Sequence, residues 1–271
     1  MAADLARSLE IVTQTDAGRM RPHSGDAVFG DAGAGLALLA DGMGGYNAGE
    51  VASGLAAMML RTALPKALAP GDGRDADISP GDALNAEIGK INGAILRAAE
   101  SQPRYAGMGT TLVAAVFRDD AVTIAHVGDS RLYRWRNGEL KQLTRDHSVL
   151  QEQIDSGIIT IEQARQSRNR NLLTRALGVD PVVEADIADH PVSVGDVYLL
   201  CSDGLNDMVE DGEIAATLAS LPEQLETCAA QLVRLANDYG GRDNVSVVLV
   251  RVRQAFPARR SWWARFLAWF K

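Results

Sequence analysis

The stretch that most constrains this chain is residues 35–50, Gly-Leu-Ala-Leu-Leu-Ala-Asp-Gly-Met-Gly-Gly-Tyr-Asn-Ala-Gly-Glu. Small and apolar residues run unbroken into Asp41-Gly42, which reads as a buried strand delivering a carboxylate at its end. Gly42, Gly44 and Gly45 then let the backbone turn sharply and come close to something small. Asn47 and Glu50 have the spacing of a helix N-cap and its N3 partner. Val51, Leu55, Met58 and Met59 follow at helical spacing, so a capping box opening an amphipathic helix is expected. A carboxylate facing a glycine turn and a helix start suits a cation and a phosphate together. The plain alternative is a tight Asp-Gly turn.

On either side of this stretch the pattern alternates between strands and helix pairs. Strands are expected at 8–15, at 28–30 and 36–40 around an Asp31-Ala32-Gly33 turn, and at 110–117, 121–127, 131–135 and 139–143, with Asn137-Gly138 as a hairpin turn. Further strands are expected at 182–187, 197–201 and 245–252. The helix from Asn47 should end before Pro65, and 69–81 reads as a surface loop. A second helix starts at Ser79-Pro80 and carries Leu84, Ile88, Ile91 and Ile95 on one face. Two more helices are expected at 211–219 and 222–238. The fold class is α+β: an antiparallel β-sandwich flanked by helix pairs, four layers in the order αββα. Residues 146–170, with Gly157, Arg165, Arg168 and Arg170, read as an excursion from the sheet, a mobile flap.

Charge then narrows the function. A net charge of −8 argues against nucleic acid as a partner and fits a site built from carboxylates. Cys201 and Cys228 fall in strand-like and helix-like patterns, which suits buried, reduced thiols and a cytoplasmic setting. The first residues lack the pattern of a signal peptide, and no apolar run reaches membrane-spanning length.

The opening pattern recurs. Apolar residues run into Asp129 and into Asp203, and Asp243 sits just before the last strand. Each alone is an ordinary turn residue, but converging carboxylates repel and persist together when a multivalent cation neutralises them. An all-oxygen set points to Mg²⁺ or Mn²⁺ rather than zinc. His126 is read as a core histidine of a strand.

With these residues in view, the chain resembles the bacterial metal-dependent protein phosphatases of the protein phosphatase 2C type. The matching stretches are 16–26, 38–53, 107–111, 127–133, 199–205 and 241–247, with Leu-Ala-Asp-Gly-Met-Gly-Gly, Ser-Asp-Gly-Leu and Arg-Asp-Asn-Val the most specific. The resemblance implies a serine/threonine protein phosphatase that hydrolyses phosphoserine and phosphothreonine by direct attack of metal-activated water. Asp41 would bridge two Mn²⁺ or Mg²⁺ ions, with Gly42 lending its carbonyl and Asp203 and Asp243 completing the set. Asp129 would help hold a third, weaker ion. Arg21 would grip the phosphate, and Asp26 would order metal-bound water. Two departures stand out. Met43 occupies the position where many eukaryotic members have a histidine able to protonate the leaving group, and Ser24-Gly25-Asp26 replaces the usual Asn-Glu-Asp. The alternative is therefore a weakly active pseudophosphatase serving as a phosphoprotein-binding module. A nucleotide-binding enzyme is disfavoured, because the glycine loop lacks the Lys-Ser/Thr of a P-loop.

The phosphatase domain is expected over 1–254 and a separate tail over 255–271. From Arg251 to Lys271 the chain is +6 against a whole-chain −8, and Trp262, Trp263, Phe266, Leu267, Trp269 and Phe270 would share one arc of a helix. Such a segment suits an anionic membrane surface, which would make the protein peripheral at the inner membrane. It suits equally a partner's groove, or packing back on the domain. Phosphorylated proteins are the partners the resemblance implies, with a Ser/Thr kinase and its forkhead-associated-domain target among them.

Overall fold

The computed structural model describes residues 5–45, 47–69, 78–165, 167, 172–221 and 223–257. Chain order is α1 (Leu5–Ser8), β1 (Leu9–Asp16), β2 (Ala27–Asp31), β3 (Leu36–Ala40), β4 (Gly42–Met43), α2 (Ala48–Ala67) and α3 (Pro80–Ser101). A strand-rich block follows: β5 (Gly109–Thr110), β6 (Leu112–Arg118), β7 (Ala121–Val127), β8 (Arg131–Arg136) and β9 (Glu139–Gln142). The rest comprises α4 (Val149–Asp155), α5 (Ile161–Arg165), β10 (Asp186–Pro191), β11 (Val197–Cys201), α6 (Asp203–Asn206), α7 (Asp211–Ser220), α8 (Leu225–Asp238) and β12 (Val245–Val252). One antiparallel sheet runs β1-β12-β11-β8-β9 and the other β10-β7-β6-β3-β2.

Period-two alternation sorts the strand residues between layers. Val248, Val250 and Leu200 point inward and meet Leu39, Val113 and Ala115 of the other sheet. Val245, Val247, Leu249 and Leu199 point outward onto Cys228 and Leu232 of α8. Leu38, Ala40 and Ala114 face the opposite way, onto α2 and α3. Because both faces of each sheet are covered, β3, β11 and β12 are buried at every position. The expected αββα sandwich is what forms.

Several local expectations change. Asn47 stands at the N-cap of α2, but its side chain makes no capping bond. The fully buried face of α2 is Ala48, Ala52, Ala56, Leu60 and Leu64, stepping by four; of the expected stripe, Val51, Leu55 and Met59 pack partly buried against the same core, and Met58 is exposed. Alanines win because they let the helix lie close against β3, β4 and α3. Pro65 does not stop α2, which continues to Ala67; near a helix C-terminus one lost backbone bond is tolerated. The strand expected at 182–187 lies instead at Asp186–Pro191, where it pairs with β7. Ser79 caps α3 as expected, its Oγ accepting from the Asp82 N–H at 3.1 Å with Pro80 in the first turn. Within the expected flap, the helices are α4 and α5; Arg168 and Arg170 lie outside the described residues, as do positions 258–271 of the expected aromatic tail. Phe256, just before them, is buried in the sandwich core.

Candidate metal centre

Strand direction gathers the acids. β3 and β7 run the same way, each antiparallel to β6, so Asp41 and Asp129 emerge at one edge of their sheet. β2 is antiparallel to β3 and starts at that edge, immediately after Asp26. In the other sheet β11 ends where β12 begins, which puts Asp203 and Asp243 side by side in sequence-distant loops. Asp41, Asp129, Asp203 and Asp243 line a single cleft of about 300 Å³, and Arg21 stands at its rim. All of these acids are half-buried: the cleft opens onto them while protein surrounds their other sides.

The electrostatics of the cluster are those of a site built for a cation. Burial pushes the Asp41 carboxyl well above the usual range, and the charges of Asp26, Asp203, Asp129 and Asp243 push the same way. Asp203 is raised by burial, then by Asp129, Asp207 and Asp243. Asp129 is pushed up to about 7 by burial and by the charge of Asp146. Both carboxylate oxygens of Asp26 are buried without a hydrogen-bond partner. Burial raises its pKa, and the Ser246 and Ser202 hydroxyls oppose that rise from outside hydrogen-bond geometry. Mutually repelling acids with orphaned oxygens fit a hard, oxygen-seeking cation. Mn²⁺ or Mg²⁺ meets that chemistry.

The backbone around Asp41 is held from several sides. The Asp41 N–H donates to Thr111 Oγ1 at 3.0 Å, and its carbonyl accepts from the Thr111 N–H at 2.9 Å and the Thr110 hydroxyl at 2.8 Å. Gly42 and Gly49 pack backbone on backbone: a Cβ on Gly42 would lie 2.2 Å from the Gly49 carbonyl oxygen. Asn244 clamps the Arg21 loop, its Oδ1 accepting from the Gly25 N–H at 2.7 Å and its Nδ2 donating to the carbonyls of Ala17 and His23 at 3.0 Å each. The sequence reading gave Thr110, Thr111 and Asn244 no roles. Their signal was position: a threonine pair directly ahead of Leu112, where β6 begins, and an amide directly after Asp243.

Arg21 is tied to Asp243 in a fork, Nε to Oδ1 at 3.0 Å and Nη2 to Oδ2 at 2.7 Å. The side chain expected to grip phosphate thus pairs with one expected to hold metal, and it must leave Asp243 to reach an anion. It is 56% exposed, free to swing. Met43 and His23 both line the cleft, and His23 is the one imidazole among its described lining residues.

Outside the cleft, His126, His147 and Asp186 come together with their ligand-type atoms within 4.8 Å of one another. The imidazoles stack 4.4 Å apart at 24°. No single ion can lie in the planes of two rings so nearly parallel, and Arg175 already bonds Asp186 at 2.9 Å. The group is a structural tie. His126 Nε2 donates to the Arg145 carbonyl at 2.8 Å and the Gly128 N–H to His147 Nδ1 at 3.2 Å, which fastens the start of the flap to the end of β7.

Acids that repel one another, beside a guanidinium at the rim, define a metal-dependent enzyme acting on an anionic substrate. A family model described as protein phosphatase 2C matches residues 22–239, and the chain belongs to that family. It is 41% identical over 240 residues to a serine/threonine phosphatase, stp, of Listeria welshimeri, spanning 88% of this chain and 93% of that protein. Among solved structures, the Mycobacterium tuberculosis serine/threonine phosphatase PstP/Ppp superposes with a TM-score of 0.82 at 38% identity, over 91% of this chain and 100% of that one. The catalytic domain of PstP in complex with two manganese ions gives 0.79 at 38% identity, over 91% and 99%.

Proposed function

We propose that this chain removes phosphate from phosphoserine and phosphothreonine in proteins, and that Asp41, the Gly42 carbonyl, Asp203 and Asp243 hold two Mn²⁺ or Mg²⁺ ions. Asp129 would help hold a third, weaker ion. The observation that carries this reading is the set of carboxylates on one cleft with the oxygens of Asp26 buried and unpartnered. Bound there, the ions lower the pKa of water and screen the charge of phosphate.

The protein groups do the rest. Arg21, once released from Asp243, offers a planar fork that matches two phosphate oxygens and orients the ester. Asp26 accepts a proton or a hydrogen bond from water deep in the site, since its own partners are missing. Thr110 and Thr111 fix the Asp41 backbone, and Asn244 fixes the loop that carries Arg21. Met43 cannot donate a proton to the leaving alkoxide, so the donor is water or another group at the cleft. An inactive binding module has no observation in its favour, because every expected ligand and Arg21 reach the cleft.

The finer partners from the family reading are a Ser/Thr kinase and its forkhead-associated-domain target, with the phosphatase at the cytoplasmic side; the basic aromatic segment 255–271 lies outside the family resemblance, and its composition suits a membrane surface or a partner's groove. Among the described residues no helix is long and apolar enough to cross a membrane. The test of the main reading is Mn²⁺-dependent hydrolysis of a phosphothreonine peptide beside a phosphotyrosine peptide. Metal-independent turnover, or preference for phosphotyrosine, would overturn it.

A further inference from the structure

A second concavity, of about 600 Å³, adjoins the cleft. Asp129 and Asp203 line both, so the two depressions share a wall and continue into one another. One side of the larger groove is the flap, with Leu150 and Ile154 of α4 and Ile161 of α5. The other is the α6–α7 connection, with Met208 and Val209 followed by Glu210 and Asp211.

Its chemistry is mixed in a specific way. The flap side is aliphatic, and Ile161 is left 56% exposed there. Among its described lining residues, Asp146, Asp207, Glu210 and Asp211 add carboxylates to the shared Asp129 and Asp203, and one residue is an arginine. That arginine, Arg131, is consumed by Asp146, which it meets at 2.7 Å. Among the described residues the far rim is therefore negative: Glu210 is exposed and makes no capping bond at the start of α7, and Asp211 accepts a neutral hydrogen bond from Tyr133, at 3.1 Å.

We propose that this groove takes the polypeptide flanking the phosphorylated residue and selects a stretch with an aliphatic side chain beside a lysine or arginine. The proposal rests on the phosphatase reading above. With the phosphate in the cleft, the chain next to it enters the groove over the shared Asp129–Asp203 wall. The aliphatic group covers Leu150, Ile154 and Met208, removing apolar surface from water. The cation meets Glu210 and Asp211, and the one arginine among the described lining residues is held by Asp146 instead.

The test uses the full chain with saturating Mn²⁺ and three matched phosphothreonine peptides, flanked by Leu and Lys, by Leu and Glu, or by Gly alone, with an aryl phosphate as reference. The Leu/Lys peptide should exceed the Leu/Glu peptide about tenfold in kcat/KM, the scale of one favourable surface charge pair replaced by a repulsive one. Glu210→Lys should reverse that order, lowering the first and raising the second. Ile161→Ser should lower both Leu peptides toward the Gly peptide, and the aryl phosphate should change less than about twofold in either variant. Equal rates for all peptides, or a Glu210→Lys effect of the same sign on both charged peptides, overturns the proposal. So does a chain ending at Pro257 that gains equally on every peptide, since the groove would then belong to the tail. Loss of aryl phosphate hydrolysis by the unmodified protein strikes the phosphatase reading itself, and is read separately.

Discussion

Replacing Asp129 by Asn should stabilise the metal-free protein. The Asp129 carboxyl is pushed up to about 7, first by burial and then by the charge of Asp146. An ordinary aspartate titrates near ~3.9, and each unit is worth ~1.4 kcal/mol, so keeping Asp129 ionised at neutral pH costs the empty fold about 4 kcal/mol at most. The carboxylate faces water in the cleft, and screening there leaves about 2 kcal/mol. The sign follows from the raised value. The protonated acid's contribution is fully present below the unfolded pKa, and it is lost as pH rises through about 7. Asn carries no charge at any pH. In chelator at pH 7.5, Asp129→Asn should therefore melt about 5 °C above the unmodified protein by calorimetry, and the gap should close near pH 4. With saturating Mn²⁺ the order should narrow or invert, because the intact ligand set gains more from mass action. A variant that melts below the unmodified protein in chelator, or a gap indifferent to pH, would show that Asp129 is held by structural bonds rather than against its own charge.

Other consequences can be checked alongside. Asp203→Asn or Asp243→Asn should cut Mn²⁺-dependent hydrolysis about a hundredfold or more, and full rates at saturating metal would remove those residues from the centre. Gly42→Ala puts a methyl 2.2 Å from the Gly49 carbonyl and 2.5 Å from that of Gly25, so denaturant melts should show a loss of about 3 kcal/mol; an unchanged midpoint would mean the loops slide apart freely. Burial lowers the pKa of His126, and of His147 together with the charge of His126. Their contribution is present above the imidazole value of ~6.5 and falls away below it. Mn²⁺-loaded protein should thus lose stability from pH 7 to 5, less so in His126→Gln. An aryl phosphate should be cleaved faster than a phosphoserine peptide, and Met43→His should narrow the difference; equal single-turnover rates would mean an acid already sits at the cleft, with His23 the first to replace by alanine.

The fold class was legible because its causes are local. A near-continuous apolar run at 245–252, an Asn137-Gly138 turn and the four-three-four spacing of Leu84, Ile88, Ile91 and Ile95 each specify an element without reference to the rest. The acids were legible for the same reason, since strands that end in aspartate announce themselves one at a time. Where tertiary contacts compete with local pattern the sequence misled. On α2 the expected stripe lies at the edge of the buried face, with Met58 left exposed, because the closest approach to its neighbours is made by Ala48, Ala52 and Ala56. The strand near 182 moved to Asp186–Pro191 because its partner β7 dictates register.

Three features belong to the tertiary structure alone. Arg21 and Asp243 are 222 residues apart, and nothing in their local sequence shows that one would fork onto the other. Asn244 binds a loop more than two hundred positions away, and the His126–His147 stack joins a strand to a flap. The groove beside the cleft exists only because α4 and α5 face the α6–α7 connection. Sequence determined which elements form and which acids end the strands, since backbone preference and burial period act over a few residues. Which charges meet, and which surface the substrate chain crosses, was decided by packing, because those energies arise only when distant segments share the same space.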